Sequence, residues 1–171
     1  MSLTTYLTEV AATLTTDMPV FKTVAIRGKH QAKTIKTPAA FVSLADEFEK
    51  APELGDGIIN VTAELQVLVL YAKSIDKTNL KTQQLALEVA QKFNSKKPAN
   101  TACKGVLEFL RVEPASFEPE YDKYAAYYVI FNHTLIFGES ILDDTEYPSV
   151  EVKVSQSPDI GIPNEPKYEK L

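Results

Sequence analysis

The stretch that most constrains this chain is residues 58–72. Its odd positions, Ile59, Val61, Ala63, Leu65, Val67, Val69 and Tyr71, are all apolar or aromatic. Its even positions begin Asn60, Thr62, Glu64 and Gln66, then turn apolar at Leu68 and Leu70. Successive side chains of a strand point to opposite faces, so this period of two predicts one long strand. One face is buried along its whole length. The other is solvated over the first half and covered over the second. Such a strand needs a sheet around it and a packed layer against it.

The flanking segments can supply both. Leu3, Leu7, Val10, Ala11 and Leu14 form one apolar stripe at helical spacing, with Ser2 placed to cap the helix and Asp17-Met18-Pro19 to end it. Residues 20–27 read as a strand with Val20, Val24 and Ile26 on one face, and residues 28–38 as a polar connection. Residues 39–45 alternate as a second strand, followed by polar residues and turn formers through Pro52, Gly55 and Gly57. A helix is expected over residues 79–94. Ala86, Val89, Ala90 and Phe93 form its stripe, Leu80 and Leu87 its flank, Thr78 or Asn79 its cap, and Lys96-Lys97-Pro98 its end. Residues 106–112 and 124–137 read as a hairpin across an acidic turn. The order α-β-β-β-α-β-β predicts an α+β domain over residues 1–140, with two helices packed on a mostly antiparallel sheet.

Residues 141–171 differ. They hold Pro148, Pro158, Pro163 and Pro166, and few large apolar residues. An extended C-terminal arm is expected, with Val150, Val152 and Val154 as a short lone strand. Such an arm is either a loose terminus or a strand added to a neighbouring subunit's sheet edge.

Charge is segregated. Residues 1–100 carry 12 Lys/Arg against 10 Asp/Glu, and residues 101–171 carry 6 against 13. Between Met18 and Ala45 there is no acid, while Lys22, Arg27, Lys29, Lys33 and Lys36 are basic. Opposed zones of this kind steer association between complementary surfaces, or are simply solvated faces. A net charge of −5 argues against general nucleic-acid binding. The single cysteine, Cys103, excludes an internal disulfide framework. The first residues lack the pattern of a secretory leader and no apolar run is long enough to span a bilayer, so a cytoplasmic protein is expected.

Candidates for chemistry are few. His30 sits in the Lys-rich connection, and His133 shares a face with Phe131 and Leu135, the position of a packed residue. One cysteine and two separated histidines do not make a zinc site. Cys103 and His133 are formally a nucleophile and a base, but Cys103 lies in a small polar run without a nucleophile signature. Gly55-Asp56-Gly57 is a turn and not a phosphate cradle. The acids Asp46-Glu47-Phe48-Glu49 and Asp143-Asp144 read as solvated loop carboxylates, without the spacing of a calcium loop. Catalytic, cofactor and metal sites are therefore not expected. Tyr121, Tyr124, Tyr127, Tyr128 and Phe131 cluster, with Tyr127 and Phe131 on one face and Tyr124 and Tyr128 on the other, which suits a strand covered on both sides and a protein interface. Candidate interface residues are Lys29, Lys33, Lys36, Glu118, Glu120, Asp122, Tyr124, Tyr128, Val150 and Val152.

Three segments together resemble a known family: Pro38-Ala-Ala-Phe-Val-Ser-Leu-Ala-Asp-Glu-Phe-Glu49, Glu64-Leu-Gln-Val-Leu-Val-Leu-Tyr71 and Phe117-Glu-Pro-Glu-Tyr-Asp-Lys-Tyr-Ala-Ala-Tyr-Tyr-Val-Ile-Phe131. They are similar to the small tail proteins of Mu-like phages and prophages, and the element order resembles the tail terminator fold of long-tailed phages. The resemblance covers residues 1–140 and leaves out the Pro-rich arm. It implies a structural virion protein, expected in host cytoplasm during assembly. It would form a homo-oligomeric ring, typically a hexamer, that stops the tail tube and joins it to the head-side connector. Implied partners are other copies of the chain, the tail tube protein, the connector and, in a contractile tail, the sheath. DNA would only pass through the lumen, where Lys29, Lys33 and Lys36 would line it or meet acidic neighbours. The rival expectations are another head–tail joining or baseplate-proximal structural protein, and a small hydrolase using Cys103 or the acid clusters.

Overall fold

The computed structural model describes residues 2–28, 35–51, 58–73, 78–97, 103–115 and 121–137, and two short strands at 153–154 and 169–170. The chain divides into two compact units, Met1–Glu139 and Ser140–Leu171.

In the first unit, the central strand is the one the alternation marks. β3, Ile59–Ala72, pairs antiparallel along its full length with β5, Tyr124–Phe137. β2, Ala39–Lys50, lies antiparallel on the other side of β3, and β4, Cys103–Pro114, lies antiparallel on the far side of β5. β1, Thr23–Ile26, closes the sheet at the β2 edge. The order across the sheet is β1-β2-β3-β5-β4. Two helices, α1 (Leu3–Asp17) and α2 (Thr78–Phe93), complete an α+β fold in the order α-β-β-β-α-β-β. α1 packs on β1 and β2, and α2 on β5, β3 and β4.

The main core lies between the helices and one face of the sheet. α1 contributes Tyr6, Val10 and Leu14; α2 contributes Leu85, Ala86, Val89, Ala90 and Phe93. The sheet answers with Ala63, Leu65, Val67 and Val69 of β3 and with Val129, Phe131 and Leu135, while Ile59 at the start of β3 is 53% exposed. Phe131 is fully buried, its ring centroid 6.4 Å from Phe93 and 6.1 Å from Phe109. Each such side chain taken fully from water contributes roughly 1.5–3 kcal/mol. A smaller cluster covers one end of the opposite, outer face, where Ala39, Phe41, Leu68, Leu70 and Tyr121 are buried. Leu68 and Leu70 are thus covered on the outer face, while Thr62, Glu64 and Gln66 are only half-buried there, as the polarity change along β3 predicts.

Several boundaries depart from expectation. The α1 stripe is centred on Tyr6, with Leu7 and Ala11 at its rim and Leu3 exposed. Ser2 occupies the N-cap but its side chain makes no capping bond; its carbonyl accepts from the Tyr6 N–H. Val20 falls in the turn after α1 and is 49% exposed, so β1 is four residues long. β1 runs parallel to β2, which makes the sheet mixed. β2 continues through Lys50, so Asp46, Glu47 and Glu49 stand on a strand and not in a loop. β4 extends at both ends past residues 106–112. Asn79 lies inside α2, which starts at Thr78, and Leu80 and Leu87 stay exposed on its outer side.

In the second unit, Lys153–Val154 (β6) pairs antiparallel with Glu169–Lys170 (β7). The strand expected to be alone therefore has its partner within the arm.

Candidate interaction surface

The outer face of the sheet has two unlike ends. At one end the chain covers itself. The Arg27 guanidinium lies on this face, where it donates to the Tyr128 hydroxyl at 2.6 Å and sits 5.8 Å from the centre of its ring. The Ile35 N–H donates to the Tyr124 hydroxyl at 3.3 Å, and Ile35 packs against the small apolar cluster. Tyr121 stacks on Phe41 with centroids 6.5 Å apart. Tyr124 and Tyr128 are thus half-buried, with hydroxyls engaged inside their own chain.

The other end is open. Two adjoining cavities share Glu49, Thr62 and Asn132 in their linings and form one trough. The first measures about 430 Å³ and is bounded by Ala45, Asp46, Glu47, Glu64 and Leu110. The second measures about 480 Å³ and is bounded by Gly105, Val106, Glu108 and Thr134, with His133 behind it. The floor is the paired centre of the sheet, where Glu64 lies opposite Asn132 and Thr62 opposite Thr134.

Both walls are made by strand irregularities at one level. β2 shifts register between Leu44 and Phe48, opposite Leu65 and Ala63; β4 shifts between Lys104 and Glu108, opposite Thr134 and Asn132. Each shift inserts extra residues, and such bulges bend a strand and re-aim its side chains. Gly105 lies inside the β4 bulge at φ +93°, a conformation that L side chains rarely adopt. The shifts fall on either side of the Ala63–His133 pair.

The trough is acidic. Asp46, Glu47, Glu49 and Glu108 are exposed and take part in no ion pair among the described residues. Glu64 accepts from Arg111 at 3.3 Å, while Arg111 reaches Glu113 at 2.9 Å. The Glu113 bond first, and then Glu64, raises the Arg111 pKa further, so the cation stays charged. Leu110 and Val106 bring apolar area to the β4 wall at 39% and 44% exposure.

His133 behaves as a core residue. It is 1% exposed, and its Nδ1 lies 2.7 Å from the Tyr6 hydroxyl. Burial pushes its pKa down to about 4; the Gly105 backbone acts weakly the other way, and Lys97 adds to the lowering. The Gly105 backbone is close enough to matter electrostatically, yet no hydrogen bond of acceptable geometry reaches Nε2. A neutral imidazole is the form this site holds.

Among the expected interface residues, Lys36 and Asp122 are exposed, and the Asp122 carbonyl accepts from Lys73 Nζ at 2.7 Å. Lys29, Lys33, Glu118, Glu120, Val150 and Val152 lie outside the described residues, as do His30, Asp143, Asp144 and the Cys103 side chain. Sequence reasoning missed the trough. Its signal was the polar alternation of Thr62 and Glu64, which marked an uncovered face; its walls come from bulges, which leave no periodic mark. Among the described residues no group of three or more acids, histidines or cysteines is arranged to hold a metal, and no helix is long and apolar enough to cross a membrane. No protein-family model and no curated protein matches this chain.

Proposed function

We propose that this chain is a structural, non-enzymatic subunit of a long-tailed phage particle. In this reading it is a ring-forming tail terminator that caps the tail tube and joins it to the head-side connector. The observation that carries the reading is the outer face of the sheet. It presents an open, acidic trough with apolar side chains in one wall, a surface whose charge favours association with a partner of complementary charge. The carboxylates there are spread along three strands: Asp46, Glu47 and Glu49 on β2, Glu64 on β3 and Glu108 on β4, with Glu64 paired to Arg111. His133, buried behind the trough, is turned to Tyr6 of the core. The element order and the three resembling segments supply the tail-terminator assignment.

The test is assembly. Native mass spectrometry and negative-stain images of the purified chain, alone and with tail tube subunits, should show closed rings and rings seated on tube ends. A chain that stays monomeric at high concentration and in the presence of tube subunits refutes the reading.

A further inference from the structure

We infer that the free edge of β1 is a self-association surface: it takes the β1 edge of a second copy of this chain, antiparallel about a two-fold axis at Ala25. The inference goes beyond the ring reading and is separate from it. A two-fold contact closes on itself and supplies no head-to-tail contact.

The two edges of the sheet are finished differently. At the β4 edge, Asn94, Ser95 and Lys96 take up backbone groups of Leu107 and Phe109. β1 is bonded to β2 on one side only. The Arg27 N–H donates to the Val42 carbonyl at 2.8 Å, in a register that sets Ile26 beside Val42. Bonding groups alternate along a strand. Thr23 and Ala25 therefore also turn theirs to β2, while Val24 and Ile26 turn theirs outward. No described residue takes up these outward groups of Val24 and Ile26. Unpaired edge groups are a template for another strand.

This edge is complementary to itself. With a second β1 antiparallel and Ala25 opposite Ala25, Val24 of each copy faces Ile26 of the other. Each facing pair exchanges both its N–H···O bonds, so every outward N–H of the two strands is used. Thr23 then lies opposite Arg27, and Lys22 opposite Gly28, so no like charges meet. The helix layer fits as well. α1 lies over β1 and β2 together. Strands stand about 4.8 Å apart, so the two α1 helices of such a pair lie roughly 10 Å apart, the spacing of packed helices. Beyond Leu3, the exposed residues of α1 are Thr4, Thr5, Thr8, Ala12, Thr15 and Thr16, small and without a charge among them. The hydroxyls of Thr8, Thr15 and Thr16 donate to carbonyls one turn back in their own helix, so they need no partner outside it. A helix that faces only water ordinarily carries charges on this side.

The experiment is disulfide trapping in the full chain, in a Cys103→Ser background. Ala25→Cys sets two thiols opposite each other at the axis, with Cα atoms about 4.5 Å apart, within the range a disulfide spans. Thr23→Cys, on the same strand, sets them roughly 13 Å apart or more. Mild oxidation should link Ala25→Cys into a covalent dimer at least roughly tenfold faster than Thr23→Cys. Two further variants act without a thiol. Ile26→Pro removes an outward donor from each copy and leaves the bonds to β2 in place; Thr8→Lys with Thr15→Lys puts charge between the helices. Each should weaken self-association by at least roughly tenfold in sedimentation velocity, with the circular dichroism of the unaltered chain. Equal trapping at both cysteine positions overturns the pairing. So does an unaltered chain that sediments as a monomer at high concentration, or self-association that the lysine variant leaves unchanged. Rings on tube ends from a chain that does not trap through Ala25→Cys leave only the ring reading standing. Trapped dimers from a chain that forms no rings leave only the pairing.

Discussion

At the scale of single residues, the Tyr6–His133 pair joins α1 to the centre of the sheet. Its buried imidazole has a pKa of about 4, below the ordinary 6.5, because a charged ring would be desolvated. The sign follows from proton counting. Between these two values the unfolded chain binds a proton that the folded chain refuses. Stability is therefore full above about pH 6.5 and declines as pH falls toward 4, by up to roughly 3 kcal/mol. Urea midpoints at pH 7.5 and 5.0 should differ for the native chain and differ less for His133→Gln; the comparison cancels His30 and most carboxylates. Gly105 makes a second, independent point. A Cβ there meets nothing within 4 Å, so the obstacle to Gly105→Ala is backbone conformation and not crowding. The expected loss is about 1–2 kcal/mol, measured by urea denaturation.

At the scale of elements, the outer edge of β4 is guarded by the exit from α2. The Ser95 N–H donates to the Leu107 carbonyl, the Leu107 N–H to the Lys96 carbonyl, and the Phe109 N–H to Asn94 Oδ1. An edge strand satisfied this way is a poor template for unwanted pairing. Over Leu107–Phe109 the β4 edge is taken. Arg27 and Ile35 each bond to a tyrosine hydroxyl, so Tyr124→Phe with Tyr128→Phe should loosen these two residues while leaving the sheet intact. Each lost bond should cost about 0.5–1.5 kcal/mol. Amide hydrogen exchange should accelerate at Ile35 and around Arg27 and stay unchanged in β3 and β5. Phe131→Ala acts on the sheet and α2 together. Its ring lies between Phe93 and Phe109, and the predicted loss is about 3–5 kcal/mol in chemical denaturation.

At the scale of the molecule, the two compact units make a separable prediction. Met1–Glu139 contains the whole five-stranded sheet and both helices. A chain ending at residue 139 should fold cooperatively and keep its circular dichroism and its Tyr6–His133 pH response. Loss of the cooperative transition would mean that residues 140–171 complete the core. The charge asymmetry also changes meaning at this scale. The acids of residues 46–49 belong to the first half of the chain by sequence, yet in space they join Glu64 and Glu108.

The sequence by itself determined the elements and their burial. Alternation and helical spacing are local, and each strand or helix must hide whichever face is apolar. The Thr62–Glu64–Gln66 to Leu68–Leu70 change even marked where the outer face is covered, and the Tyr127/Tyr128 alternation sorted the aromatics to their faces. Only the tertiary structure decided how strands meet. The parallel pairing of β1, the extension of β2 through its acids, the matched bulges of β2 and β4 and the capping of β4 by Asn94 all depend on partners distant in sequence. Register and edge protection are properties of pairs of strands, and a pattern read along one strand carries no record of its neighbour.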